Sequence, residues 1–399
     1  MVTGDNNNKF YEMAENGDGT FTASYGRIGA PPATQTYPLA RWEAKYREKV
    51  RKGYADVSAL CADGDERGPR FSIDDPSVAA LIEALARYAA DAIQARYLVG
   101  AGQVTAQQVA EAQAHVDTLA ALAGASGLDV DAFNAELLAL YTAIPRRMGD
   151  VRAHLLGSGM DPTDAERVRA LLEREQEALD VMATEVRQVT RREDGAAPPT
   201  LRDALGLTIA RVTDGTEVHR IRSRMGGDAS RFRAAYRVVD HRRAELFDRH
   251  VRAESDRRTR LLWHGSRNEN WLSILENGLM LRPARAVITG KMFGYGLYFA
   301  ERMAKSLNYT SLQGACWSGG RDRAAYLALY EVHLGRPLRI TTWEPWCATL
   351  DAEEVARRGP LWWRCHSVHG FAGLSLRHDE FVVYREVQAT IRYLIEIAL

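Results

Sequence analysis

The sequence is poor in lysine and cysteine and has no long apolar run. Of its 52 basic residues, 46 are arginine and 6 are lysine, and 52 acidic residues bring the net charge to zero. A neutral chain is not a polycation that coats nucleic acid without specificity. Arginine suits phosphate binding, but the bias extends along the whole chain. We therefore attribute it to the codon usage of a GC-rich genome, which favours a bacterial source, rather than to function.

The four cysteines are too few and too scattered for a disulfide framework. No apolar run approaches the roughly 18 residues that a membrane-spanning helix needs, and the N-terminus does not resemble a signal peptide. We expect an intracellular soluble protein without membrane association. It would lie in the cytoplasm, associated with the nucleoid, in a bacterium, or in the nucleus of a eukaryote.

Periodicity divides the chain into three regions. Residues 1–61 alternate like a small sheet and then form a basic helix from about Ala40 to Arg51. Residues 71–192 show helical spacing, with an N-cap at Asp75 and a capping box at Thr105. Residues 201–399 mix short strands and helices. Residues 62–70 and 193–199 are predicted to be linkers.

The densest stretch, residues 261–309, fits no generic motif. Gly290 and Lys291 do not form a P-loop, because Arg285 and Met292 occupy positions that need Gly and Ser or Thr. The Cys365–His369 segment has a cysteine and two histidines but no evident fourth ligand for zinc. No metal site is therefore expected.

Four segments in order resemble the catalytic domain of poly(ADP-ribose) polymerases, which transfer ADP-ribose from NAD⁺ to an acceptor. They are His264-Gly265-Ser266, Gly294 to Ala300, Lys305 to Tyr309, and Asp379 to Tyr384. The resemblance covers residues 201–399. It implies that NAD⁺ is the substrate and that the fold of this region contains two mixed sheets.

The resemblance implies a catalytic triad of His264, Tyr298 and Glu380. His264 would hold the adenosine-side ribose, and Glu380 would contact the 2′-hydroxyl of the nicotinamide ribose and orient the acceptor. The backbone of Gly265 and the hydroxyl of Ser306 would bind the nicotinamide amide, and Tyr298 and Tyr309 would enclose its ring. The remaining implied NAD⁺ contacts are Ser266 and Asn270. Lys305 and Met292 would line the acceptor side, and residues 283–295 would form the donor loop.

These roles agree with the chemistry. Cleavage of an N-glycosidic bond builds positive charge on the ribose, and contacts to the 2-hydroxyl strengthen in that transition state. A carboxylate at this hydroxyl therefore lowers the barrier, and it can also act as a general base. Taken singly, such a histidine, glutamate or tyrosine is more often structural. Their joint order and spacing favour the functional interpretation.

The other two regions resemble domains of the same family. Residues 7–11 and 25–29 resemble the WGR domain of DNA-dependent members, although Tyr25 replaces the tryptophan and the first strand is missing or shortened. The predicted DNA contacts are Tyr25, Arg27, Arg41 and Lys45. For Arg27, a role in tying the sheet to the helical region remains open. Residues 71–192 resemble the regulatory domain that restrains NAD⁺ access.

We therefore expect an α+β protein with a small WGR-like sheet domain, an all-α regulatory bundle and an ADP-ribosyltransferase domain. The expected function is poly(ADP-ribose) synthesis on proteins, including the enzyme itself, stimulated by DNA breaks. A mono-ADP-ribosyltransferase and a DNA-end-binding scaffold without turnover are the alternatives. The sequence does not indicate an oligomeric state.

Overall fold

The fold is that of a computed structural model, and the chain divides into two compact units. One contains Met1–Glu66 and Ala90–Arg191, and the other contains Arg67–Ala89 and Arg192–Leu399. The structure describes residues 2–3, 7–27, 31–54, 70–124, 127–157, 161, 163–191, 197–281, 292–359, 364–373 and 376–399. Most of both predicted linkers, residues 28–29 of the WGR-like motif and residues 283–291 of the donor loop lie outside these ranges.

The first unit begins with an antiparallel sheet in chain order. Its strands are β1 (Val2–Thr3), β2 (Asn7–Glu15), β3 (Thr20–Arg27) and β4 (Ala33–Pro38), followed by helix α1 (Trp42–Arg51). The turn between β2 and β3 needs positive φ at Gly17 and Gly19, at +74° and +83°. Phe21 is fully buried against the rings of Tyr37 and Trp42. The part of β1 that the structure describes consists of two residues.

Four longer helices follow where the periodicity predicts them. They are α2 (Pro76–Arg96), α3 (Ala106–Gly124), α4 (Val130–Ala143) and α5 (Ala165–Thr190). Thr105 and Gln108 form the predicted capping box, with backbone-to-side-chain distances of 3.0 and 3.2 Å. The apolar positions are buried, among them Val116, Leu119, Phe133, Leu137, Leu140, Leu172 and Leu179. No helix in the described ranges is long and apolar enough to span a membrane.

The second unit contains a nine-stranded mixed sheet with the order β10-β11-β12-β8-β7-β9-β13-β6-β5. Its strands are β5 (Leu207–Arg211), β6 (Phe232–Asp240), β7 (Thr259–Gly265), β8 (Leu297–Ala300), β9 (Ala324–His333), β10 (Pro337–Ile340), β11 (Ser367–Gly370), β12 (Glu380–Val383) and β13 (Ala389–Ala398). Its helices are α6 (Leu201–Leu205), α7 (Gly215–Met225), α8 (His241–Ala253), α9 (Trp271–Asn277), α10 (Met303–Leu307) and α11 (Ala352–Arg357). The α+β class predicted from the sequence is confirmed.

The two sheets expected in this unit are joined into one at the edge between β7 and β8. Among the described residues, these strands pair only through Trp263 and Ala300, whereas β7 pairs with β9 along its whole length. One half of the sheet is therefore β10-β11-β12-β8, and the other begins at β7.

The first part of α2 packs within this second unit. Val78, Leu81, Ile82 and Leu85 are buried in the same core as the sheet residues, and the Ser72 amide donates to the carbonyl of Pro199 at 2.9 Å. The compact units therefore divide α2 at Ala89, whereas the predicted regulatory domain, residues 71–192, takes in the whole helix.

Candidate active site

The end of β7 lies directly against α10. A Cβ atom on Gly265 would come within 2.0 Å of the carbonyl oxygen of Ser306, so only glycine permits this approach. Ser306 is buried, and its carbonyl accepts the amide of Tyr309 at 3.1 Å. The Tyr309 side chain is 44% exposed. The structure thus brings together three of the four residues predicted for the nicotinamide end of the site.

His264, on β7, is held by a residue of β8, the neighbouring strand in the other half of the sheet. Its Nδ1 lies 3.0 Å from the carbonyl oxygen of Tyr298. A carbonyl can only accept, so Nδ1 carries the proton and the orientation of the ring is fixed. The rings of Trp271, Phe299 and Tyr330 surround the imidazole at centroid distances of 6.4, 5.7 and 5.9 Å.

Tyr298 anchors the described end of the predicted donor loop. Its hydroxyl donates to the carbonyl of Gly294 at 2.7 Å and accepts the amide of Phe293 at 3.1 Å. Burial is the main cause that raises the pKa of Tyr298 well above its ordinary value of 10.0, and the acidic groups of Tyr384 and Glu380 raise it further. Tyr298 is therefore a neutral hydrogen-bonding group rather than a proton source at physiological pH.

Glu380 begins β12 between two small cross-strand neighbours, Ala300 on β8 and Gly370 on β11. It is 7% exposed, and its Oε1 lies 2.8 Å from Nζ of Lys305. A buried carboxylate needs such a partner, because desolvation penalises an unpaired charge. A Cβ atom on Gly370 would lie 2.4 Å from the Phe293 ring, so this neighbour must be small.

The remaining residues predicted for the pocket have local partners. Asn270 Nδ2 donates to Ser266 Oγ at 3.1 Å, which joins the end of β7 to the start of α9. The Met292 carbonyl accepts from Nε1 of Trp343 at 2.8 Å, and its side chain packs against the buried cluster that includes Phe293. All of them lie in the second unit.

An open cavity of about 350 Å³ is lined mainly by residues that belong to or adjoin two of the motifs, Gly294 to Ala300 and Asp379 to Tyr384. We name it the basic cleft; its lining residues are Glu301, Arg302, Ala372, Arg377, His378 and Asp379. Lys305 Nζ donates to the carbonyl of His378 at 3.4 Å, so the cleft adjoins the Lys305–Glu380 pair. Burial lowers the pKa of His378, and the charges of Arg302, Lys305 and Arg377 lower it further.

Sequence analysis placed Lys305 on the acceptor side but missed Arg302, Arg377 and His378. These residues neighbour the recognised motifs without belonging to them. Their position two or three residues from Lys305 and Glu380 is the one feature of the sequence that points to them.

The residues predicted to contact DNA lie on the sheet and helix of the first unit. Tyr25 stacks on Tyr11 with a centroid distance of 5.6 Å, so one face of its ring is covered. Arg41 is exposed just before α1. Lys45 lies 3.0 Å from Glu48, which offsets its charge.

Arg27 is exposed at the end of β3. Hydrogen bonds from Arg152 are the main cause that lowers the pKa of Asp150, and the positive charge of Arg27 lowers it further. Arg27 is thus close enough to Asp150, which follows α4, to act on its charge. Both roles of Arg27, a DNA contact and a connection of the sheet to the helices, therefore stay predictions.

Within the part of the chain that the structure describes, no group of three or more His, Cys, Asp or Glu side chains is arranged to hold a metal. The two histidines of the Cys365–His369 segment have separate partners. His366 Nε2 lies 3.1 Å from Glu254, and His369 Nε2 lies 2.7 Å from Asp379.

Comparison with known proteins gives two family matches, to the poly(ADP-ribose) polymerase catalytic domain over residues 219–359 and to the WGR domain over residues 1–59. The chain is similar to the poly(ADP-ribose) polymerase-like protein 100L of Invertebrate iridescent virus 6, with 33% identity over 165 residues that cover 41% of this chain and 83% of the viral protein. It is 31% identical to human poly(ADP-ribose) polymerase 2 over 157 residues, 34% of this chain and 26% of the human protein. The maize poly(ADP-ribose) polymerase 2 is 44% identical over 100 residues, 25% of this chain and 14% of the maize protein.

The fold, the residues gathered at the end of β7 and these matches define an ADP-ribosyltransferase that uses NAD⁺ as its substrate. The chain belongs to the poly(ADP-ribose) polymerase family. The resemblance predicted from four catalytic motifs and a WGR-like segment is confirmed. Glu380 lies beyond the residues matched by the catalytic domain, so its role is part of the proposal below.

Proposed function

We propose that this enzyme elongates poly(ADP-ribose) on proteins, including itself, and that DNA breaks stimulate it. The observation that carries the proposal is the buried Glu380–Lys305 pair, which adjoins the basic cleft through the hydrogen bond from Lys305 to the His378 carbonyl. The Glu380 carboxylate is thus available to assist the transfer of ADP-ribose. The arginines of the cleft are available to bind an acceptor that carries phosphates.

In the proposed reaction, the bond between the nicotinamide nitrogen and the ribose C1′ breaks, and nicotinamide leaves with the bonding electron pair. An acceptor hydroxyl attacks C1′ and gives its proton to a base. His264 and the backbone of Gly265 would hold NAD⁺, with Ser306, Tyr298 and Tyr309 around the nicotinamide. Glu380 would stabilise the positive ribose through its 2′-hydroxyl and receive the acceptor proton.

Elongation distinguishes a polymerase from an enzyme that adds a single unit, because its acceptor is an ADP-ribose with two phosphates. Arginine guanidinium groups bind phosphate oxygens in pairs. Arg302 and Arg377 line the basic cleft next to Lys305, and both are exposed. The cleft also contains the carboxylates of Glu301 and Asp379, which have partners of their own in Arg260 and His369. We propose that these arginines bind the pyrophosphate of the growing chain.

Replacement of both Arg302 and Arg377 by alanine should shorten the products. Hydrogen bonds to charged groups contribute about 1.5–3 kcal/mol, so elongation should slow by about tenfold or more. Release of nicotinamide into water should change little, because NAD⁺ is bound elsewhere. Gel analysis with NAD⁺ labelled in its ADP-ribose part measures product length, and NAD⁺ labelled in its nicotinamide measures release. Arg357→Ala, on exposed α11, is the matched control, and an unchanged product length for the double variant would refute the assignment.

An assay with labelled NAD⁺ also distinguishes the three candidate functions by the size of their products. Long products that increase with nicked DNA are expected from a DNA-stimulated polymerase. Products of one unit would identify a mono-ADP-ribosyltransferase, and binding of DNA ends without any product would identify a scaffold.

Arg27→Ala tests the DNA contact. If Arg27 neutralises a phosphate, the salt dependence of binding to nicked DNA should flatten by about 0.9 in the log–log slope. Anisotropy titrations at several salt concentrations measure the slope. Arg47→Ala is the control, because Arg47 is exposed on α1 but paired with Glu43 at 2.7 Å. An unchanged slope with lost DNA stimulation would instead assign Arg27 to the connection with the helices near Asp150.

A further inference from the structure

The pairing of β11 with β12 determines which residues lie on each face of the sheet around Glu380. Gly370 is the cross-strand partner of Glu380, and His369 is the partner of Phe381. Successive residues of a strand point to opposite faces of the sheet. His369 and Phe381 therefore lie on the face away from the Glu380 carboxylate.

His369 contacts both residues that flank Glu380. Its ring stacks on Phe381 with a centroid distance of 4.3 Å and an interplanar angle of 25°. Its Nε2 lies 2.7 Å from Oδ2 of Asp379, and Oδ1 of Asp379 accepts the amide of Ala372 at 2.8 Å. One side chain thus holds the chain on both sides of Glu380.

The stack continues across the sheet and leaves His369 little freedom. Phe371 covers the ring of His369 at 3.8 Å and 27°. The Arg339 guanidinium lies 4.7 Å from the centroid of Phe371, and the Arg260 guanidinium lies 4.9 Å from that of Phe381. Aromatic stacking and cation–π contacts stabilise this arrangement beyond the burial of apolar area. These stacked rings and the two guanidinium groups form a column that supports the sheet from β10 to β7.

We propose that His369 is the positioning residue for Glu380 and that Asp379 transmits its effect. The inference rests on the proposed role of Glu380. The His369–Asp379 pair fixes the backbone of Glu380 from the opposite face of the sheet. The Glu380 carboxylate is thereby directed at Lys305 and at the ribose hydroxyl. Neither His369 nor Asp379 takes part in the chemistry. The rate should depend on them because a displacement of about 1 Å can cost roughly a hundredfold in rate.

The test uses the full chain and measures nicotinamide release over a range of NAD⁺ concentrations. His369→Ala and Asp379→Ala should each lower kcat by about 10- to 100-fold, while KM for NAD⁺ changes less than about twofold. The double variant should be no slower than either single variant, because the two residues act as one unit. His369→Gln should recover most of kcat, since its planar amide can stack on Phe381 and donate to Asp379.

Thermal unfolding separates positioning from a purely stabilising role. A structural role alone would lower Tm and leave kcat unchanged at temperatures well below it. His241→Ala is the control, because His241 bonds to Thr208 at 2.8 Å on the outer edge of the sheet. Normal kcat for both alanine variants, with an inactive Glu380→Gln, would overturn the inference but keep the proposed function. A fully active Glu380→Gln would overturn both.

Discussion

Glu380→Gln is expected to lower the rate of ADP-ribose transfer by about 10²–10³, the cost of removing one group that stabilises transition-state charge. The amide keeps the size of the carboxylate and can still accept from Lys305, which lies 2.8 Å away. The affinity for NAD⁺ should therefore change little, whereas the free energy of unfolding should fall because the largely buried Lys305 loses its counter-charge. Single-turnover transfer from labelled NAD⁺, together with equilibrium NAD⁺ binding, measures both effects.

Glu353→Gln is the matched control, because Glu353 is an exposed glutamate at the start of α11. Its transfer rate should equal that of the unchanged chain. A Glu380→Gln variant that elongates chains at a near-normal rate would exclude Glu380 from the chemistry.

Removal of α3, α4, α5 and the second part of α2 is expected to make the enzyme independent of DNA. We propose, from the resemblance to the regulatory domain, that these helices restrain NAD⁺ access. A coupling of 1–3 kcal/mol corresponds to a rise of about 5- to 150-fold in the rate without DNA. Nicotinamide release without DNA, compared with that of the full chain, measures the rise.

The packing of α2 determines which residues this variant must keep. A chain that begins at Thr200 loses Val78, Leu81 and Leu85, which are buried in the core of the second unit. Residues 67–89 should therefore be kept, and residues 90–196 replaced by a Gly/Ser linker. A linker of about 15 residues reaches about 20 Å, close to the length of this part of α2.

Two measurements make the result decisive. The linked variant with Glu380→Gln should be inactive, which shows that the rise comes from the same site. A linked variant that unfolds cooperatively and binds NAD⁺, yet reacts no faster than the full chain without DNA, would show that the helices impose no restraint.

Local features were predictable from the sequence, since each depends on a few neighbouring residues. The capping box at Thr105, the turn at Gly17 and the ends of α4 and α5 follow from turn and cap chemistry alone. The gathering of His264, Gly265, Ser306 and Tyr309 followed from motifs whose spacing matches a known family.

The features that depend on strand register were not predictable in this way. Lys305 and Glu380 are 75 residues apart, and their contact depends on how β8 pairs with β12. The His369–Asp379 pair likewise needs the register of β11 and β12. Helical periodicity shows that α2 has an apolar face but not which neighbour covers it, so its division at Ala89 could not be read from spacing.

The narrow pairing between β7 and β8 leaves side chains to set the spacing between the two halves of this sheet. Within the described residues, one residue pair, Trp263 and Ala300, joins halves whose other strands pair over several residues each. His264 lies on one half and Tyr298 and Glu380 lie on the other, so the boundary between the halves passes through the proposed NAD⁺ site. The width of that site therefore depends on the contacts across the boundary, which include the bond from His264 to the Tyr298 carbonyl and the column of stacked rings that extends from β10 to β7.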